Sequence, residues 1–330
     1  MEMNICLDAN VARLVHMEWV LELERIIKEE KDPVSDSTKE LLSGTLGNMV
    51  GHEDCELGCW LYGRACQQYA DSNMVWPLSD VHQKFHQASD HLLEMFWQGN
   101  QREVKRLMVE VHNLSREIVY LLTCIELDIL ERDKHPIFSA FFVVKRLLNK
   151  KSLAQESSSV STFRSREVVK PLAERFKGVG AGMIENSPEK IEQIKKLNMS
   201  RLAHIRWVNG LRNTFINFRD SDLLPVEQCD LGMWIHHDEH HFLDEHELLE
   251  DLDIVHKEFH YYASKTVSAM RDGRYQGYEG FYFKSLFLSK EIIYLLTKME
   301  YDFEGGRNII ARMGIDQGRL KSEVAANINV

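Results

Sequence analysis

His82 and His86 stand four residues apart, a spacing that puts both imidazoles on one face of a helix and lets them close on a single ion. Cys55 lies upstream in CELGCW, and a thiolate joined to imidazoles is a donor set that Zn²⁺ favours. One such pair is a weak signal, because every helix holds many pairs at this spacing. Recurrence strengthens it. CDLGMW begins at Cys229 and VHKEFH supplies His256 and His260, so that 229 − 55, 256 − 82 and 260 − 86 all equal 174. A fourth donor precedes each cysteine: His16 opens H-x-x-W with Trp19, and His204 does so with Trp207. The two sets are therefore His16, Cys55, His82, His86 and His204, Cys229, His256, His260, each of three imidazoles and one thiolate. The competing reading is histidines hydrogen-bonded in a helical core beside a cysteine acting as a small hydrophobe. Retention of all four residue types in both copies favours the metal, at two zinc ions per chain.

Helices must position these donors. Residues 8–31 carry a broad apolar stripe from Val11 to Ile27 at helical spacing, with His16 and Trp19 on one face. A loop over 33–54 leads to a short helix at Cys55–Trp60. Longer helices follow over 74–97, closed by Gly99-Asn100, and over 101–131. The second unit opens near Ser187-Pro188 with proline at a first helical position. It closes on KEIIYLLTKMEYDF (290–303), which matches REIVYLLTCIELDI (116–129), again 174 apart. The expected fold is all-α: two tandem four-helix bundles, each around a buried three-His, one-Cys zinc site. The expected divisions are 1–132, a 133–187 segment, 188–304 and a 305–330 tail. Within the second division, 136–151 is apolar with basic residues near its end, 152–165 reads as a Ser-rich linker, and 166–186 takes no assignment.

The formal net charge of −11 argues against a duplex nucleic-acid binder, which needs a basic face. No run of eighteen apolar residues occurs, so no membrane span is expected, and the N-terminus lacks the layout of a secretory signal. Five of six cysteines fall in the first half, which suits a reducing cytoplasm better than a disulfide framework. Cys59 and Cys66 lie near Cys55 but have Met233 and His240 as counterparts, so packing is the simpler reading for them. The cluster His236, His237, His240, His241, His246 could hold a further metal, yet it has no histidine counterparts in the first copy.

H-x-x-W, C-x-L-G-x-W and H-x-x-x-H, each present twice, make each half resemble a chemoreceptor zinc-binding (CZB) domain, over roughly 8–131 and 190–303. The resemblance implies a four-helix-bundle module whose zinc ligands are the first His, the Cys and the paired His, matching the two sets above. It further implies a part in bacterial signalling, alongside chemoreceptors or cyclic-di-GMP enzymes. There the ligand cysteine is the reactive group in sensing zinc or oxidants such as hypochlorous acid. CZB domains tend to pair, which implies an intramolecular pseudo-dimer or a homodimer. The sequence departs from that pattern in carrying no receptor signalling hairpin and no GG-[DE]-[DE]-F motif, so output through another protein is expected.

Four protein donors leave no open metal position, which disfavours zinc hydrolysis, and no repeated Glu-x-x-His suggests a di-iron bundle; the chain is not expected to be an enzyme. The two open readings are a sensor that releases or oxidises its zinc site and a scaffold in which zinc only staples the bundles.

Overall fold

Among the described residues, apolar side chains recurring every three to four positions produce eight α-helices and no strand. The computed structural model describes residues 5–29, 51–66, 69, 72–132, 188–217, 224–237, 247–272 and 278–306. In the first unit α1 spans Ile5–Glu29, α2 Glu56–Trp60, α3 Val75–Trp97 and α4 Gln101–Arg132. A π-turn, Leu61–Ala65, continues α2. In the second unit α5 spans Pro188–Asn217, α6 Asp230–His237, α7 Glu247–Arg271 and α8 Tyr278–Phe303. The apolar segment 136–151, the Ser-rich stretch 152–165, residues 166–186, most of the 33–54 loop, His240, His241, His246 and the tail beyond 306 lie outside the described residues.

The long helices end where the backbone changes hand. Gly99, at φ 71°, lets its own N–H reach Phe96 and that of Asn100 reach Met95, which satisfies carbonyls left over at the end of α3. The turn sends α4 back along α3, and α3 and α4 pack along their lengths, as α7 and α8 do in the second unit. Along α3 the buried stripe runs Val75, Leu78, His82, Phe85, Ser89, Leu92, Phe96; along α7 it runs Leu248, Leu252, His256, Phe259, Ala263, Val267. A histidine thus occupies a central core position of each stripe, which is where a donor must be to face the inside of a bundle.

The short helix α2 has one task, to present its N-cap. Cys55 is that N-cap, and its sulfur accepts from Gly58 N at 3.2 Å. Leu57 and Trp60 are buried and pin the turn to the core. Gly58 is required for packing rather than for its torsion angles: a Cβ there would overlap the backbone carbonyl of His52, and one at Gly232 would overlap that of Val226. C-x-L-G-x-W is therefore a device for laying a cysteine-capped turn flat against the segment before it.

The two units also share a core. Leu14, Met17, Val119, Leu127, Leu202, Ile205 and Ile293 form one buried cluster contributed by α1, α4, α5 and α8. Charged residues at its centre pair reciprocally. Arg13 of the first unit donates to Thr297 at 2.8 Å and to Glu300 at 2.7 Å, while Arg201 of the second donates to Thr123 at 3.1 Å and lies 3.0 Å from Glu126. Glu300 and Thr297 lie 174 residues beyond Glu126 and Thr123, so the contacts mirror one another. At the rim Arg116 pairs with Glu291 and Lys290 with Glu117, again mirrored. Burial raises the Glu300 pKa, but the Arg13 and Arg201 guanidiniums outweigh it and hold the carboxyl below its usual range.

Four variants test this packing. Gly58→Ala should lower the urea midpoint by an amount equivalent to about 1–3 kcal/mol or more, the usual toll of overpacking. Gly210→Ala, where added bulk meets open space within α5, should be neutral or stabilising by up to about 1 kcal/mol. Glu300→Leu should destabilise by roughly 3–5 kcal/mol, because Arg13 is 0% exposed and would lose the carboxylate that it contacts directly. Adding Arg13→Met to Glu300→Leu should restore most of that loss.

Candidate metal centre

Three donor atoms in each unit face one point. In the first, Cys55 Sγ is 3.3 Å from His82 Nε2, and His86 Nε2 is 3.2 Å from the same nitrogen. In the second, Cys229 Sγ is 3.2 Å from His256 Nε2. Among the described residues, Cys55, His82, His86 and Cys229, His256, His260 are the groups whose donor atoms all lie within 4.8 Å of one another. Donors of a tetrahedral zinc ion, at bond lengths of about 2.0–2.3 Å, stand at separations of this order. The residues present fit the ion: one sulfur and two nitrogens converge, buried or half-buried.

Electrostatics agrees with the geometry. Burial, followed by the neighbouring imidazoles, pushes His82 down to about 2; burial and His52 push His86 to about 4. Burial and His260 push His256 to about 3, and burial pushes His260 to about 4. All four are therefore neutral near pH 7, the form that binds metal. The thiols move the other way. Burial pushes Cys55 up to about 12 and Cys229 to about 11, although the Gly58 and Gly232 N–H groups aimed at the sulfurs oppose it. Each pocket is arranged for a thiolate but holds it as a thiol until a cation compensates the charge.

His16 and His204 stand beside these groups and are not members of them. His16 is buried on α1, with its ring edge-on to Phe85 at 4.7 Å; His204 meets Phe259 at 4.8 Å. Trp19 and Trp207 contact the same phenylalanines at 5.2 Å and lean over His86 and His260. That explains H-x-x-W: one helical turn clasps the central phenylalanine of the donor helix between an imidazole and an indole, and the indole covers the outer histidine. The His16 ring nitrogen Nε2 is 3.0 Å from Ser115 Oγ, and His204 Nε2 is 3.1 Å from Ser289 Oγ.

Sequence reasoning passed over Phe85, Phe259, Ser115 and Ser289 as site residues. Both pairs recur at the 174-residue offset, so a wider comparison of the copies would have found them. It also passed over His52, whose ring lies 6.4 Å from His86 and 5.7 Å from Tyr62. No repeat could reveal His52, because its counterpart is Val226. Cys59 is buried and Cys66 half-buried, and burial raises the Cys66 thiol. Of the histidine cluster in the second unit, His236 is 3.1 Å from Asp253.

No curated protein and no solved structure matches the chain. Among family models, that of the chemoreceptor zinc-binding domain, CZB, matches residues 204–267. The matched stretch contains His204, Cys229, His256 and His260, so it is the second unit that is similar to the chemoreceptor zinc-binding domain, over the part of its helices that carries the four residues.

Proposed function

We propose that the chain is a tandem zinc-binding regulatory protein that responds to zinc or to oxidant and signals by contact with another protein. The units are 1–132 and 188–304, the first a second CZB-like module joined to the matched one by the 133–187 segment. One zinc ion is held by His16, Cys55, His82 and His86 and another by His204, Cys229, His256 and His260. The observation that carries this reading is the repetition of one thiol–imidazole geometry, 3.3 Å and 3.2 Å, in two units whose intervening sequences differ.

When bound, zinc makes a thiolate of each cysteine at neutral pH. Cys55 and Cys229 supply that sulfur from the ends of separate short turns, while α3 and α7 supply paired nitrogens. Oxidation of the thiolate by a hypochlorous-acid-like oxidant transfers oxygen to sulfur, giving a sulfenic acid and chloride and leaving a weaker donor. Loss of the sulfur contact frees α2 and its preceding turn from α3, and it frees α6 from α7. α1 and α5 clasp the donor helices and also form the shared core, so movement at a site reaches the face between the units. We read that face as an intramolecular pseudo-dimer. Partners in bacterial signalling fit the family match, and a cytoplasmic setting fits free thiols. No helix among the described residues is long and apolar enough to cross a membrane.

A scaffold stapled by zinc, without sensing, shares the same geometry and separates in its kinetics: its zinc leaves only on global unfolding. Metal analysis of the purified chain should give two zinc per chain, falling to none when Cys55→Ala and Cys229→Ala are combined. Zinc retained in that double variant contradicts the reading. Oxidant should release zinc with the fold intact by circular dichroism. Between about pH 5 and pH 9 the triad histidines are already neutral and the thiols still protonated. Binding then displaces one proton per site, so affinity rises about tenfold per pH unit. Competition titrations at three pH values check that slope.

A further inference from the structure

The Ser115 and Ser289 hydroxyls are wholly buried at equivalent positions of α4 and α8, 174 residues apart. Thr123, Thr297 and Ser285, on the same helices, donate back to backbone carbonyls in the preceding turn. Ser115 and Ser289 instead reach sideways to an imidazole on a different helix, at 3.0 and 3.1 Å. In each case the nitrogen engaged is Nε2, so a metal bond from this ring would have to be made by Nδ1.

We propose that Ser115 and Ser289 are positioning residues that fix His16 and His204 in the Nε2–H tautomer. This inference rests on the reading of both histidines as the fourth zinc donors. A neutral imidazole carries one proton. If Nε2 holds it and donates to the serine oxygen, Nδ1 presents a lone pair; with the proton on Nδ1, that nitrogen cannot bind zinc. A metal-binding histidine whose second nitrogen is hydrogen-bonded is held in both tautomer and ring orientation. The inner histidine of each donor helix lacks this support: His82 Nδ1 and His256 Nδ1 are buried without a hydrogen-bond partner, whereas His260 is hydrogen-bonded to the Leu224 backbone.

The first site carries an extra link, which crosses between units. Tyr294 of α8 is hydrogen-bonded to Ser115, and Arg116 stacks on its ring at 5.4 Å. Burial pushes the Tyr294 hydroxyl up, and the Ser115 hydrogen bond opposes that push. If Ser115 gives its proton to Tyr294, it is left to accept from His16, and Nε2 then carries the hydrogen. Tyr120, the counterpart of Tyr294, is hydrogen-bonded instead to Cys124, four residues on; Tyr294 has Lys298 there. The second unit therefore reaches into the first metal centre through Tyr294.

The tautomers can be read directly in the metal-free wild-type chain by long-range ¹H–¹⁵N correlation of the imidazoles. Nε2–H is expected for His16 and His204, and Nδ1–H at both overturns the proposal without any variant having to fold. In a Cys229→Ala background, which isolates the first site, Ser115→Ala should lower zinc affinity about 10–100-fold by chelator competition. Tyr294→Phe should lower it by a smaller factor. Affinities unchanged within twofold in both variants overturn the positioning role. A wild-type chain that binds no zinc, yet shows both Nε2–H tautomers, contradicts the metal reading and leaves the serine–histidine assignment standing.

Discussion

A thiol packed at 3.2–3.3 Å against one imidazole, with a second imidazole beside it, is the contact on which the rest of the structure depends. Left to themselves such groups would prefer water, and the protein takes them out of it twice. Burial makes the imidazoles neutral and the sulfur a thiol, so the pocket is uncharged until a cation enters. The shortest motif exists for this contact. C-x-L-G-x-W caps a turn with sulfur, anchors it with leucine and tryptophan, and omits one Cβ so that the turn lies flat. H-x-x-W serves the same end from α1 and α5, by holding the donor helix through its phenylalanine.

The second organising feature is the charged centre between the units. Arg13, Glu300, Arg201 and Glu126 are buried where apolar side chains would pack as well, and such networks define a register more than they add stability. Here each arginine of one unit finds its carboxylate in the other, so the mirrored arrangement satisfies all four only when the units face each other in one way. The helices that carry the network, α1, α4, α5 and α8, also carry His16, His204 and the serines bonded to them. The charged centre and the two first-helix histidines are thus built on the same four rods.

Much of this was visible in the residues alone. The long helices follow from apolar periodicity, and the stop at Gly99-Asn100 follows from its tolerance of positive φ. The donors stood out because a repeat filters chance: any helix offers His-x-x-x-His, but two copies with a cysteine at one offset do not arise casually. The charged centre was not visible. Arg13 and Glu300 sit in amphipathic patterns where a charge reads as solvent-facing, and only the docking of two bundles turns that face inward. The roles of Phe85 and Ser115 were hidden for a related reason. A phenylalanine on a core stripe and a serine in a helix are ordinary until the helix opposite places His16 against both. His52 carries no signal in the repeat, since Val226 replaces it.

The decisive quantity is the donor set around the metal. X-ray absorption at the zinc edge of the fully loaded chain should show one sulfur at about 2.3 Å and three imidazole nitrogens at about 2.0–2.1 Å, averaged over both sites. A shell without sulfur, or one in which oxygen replaces the third imidazole, would contradict the four-donor account.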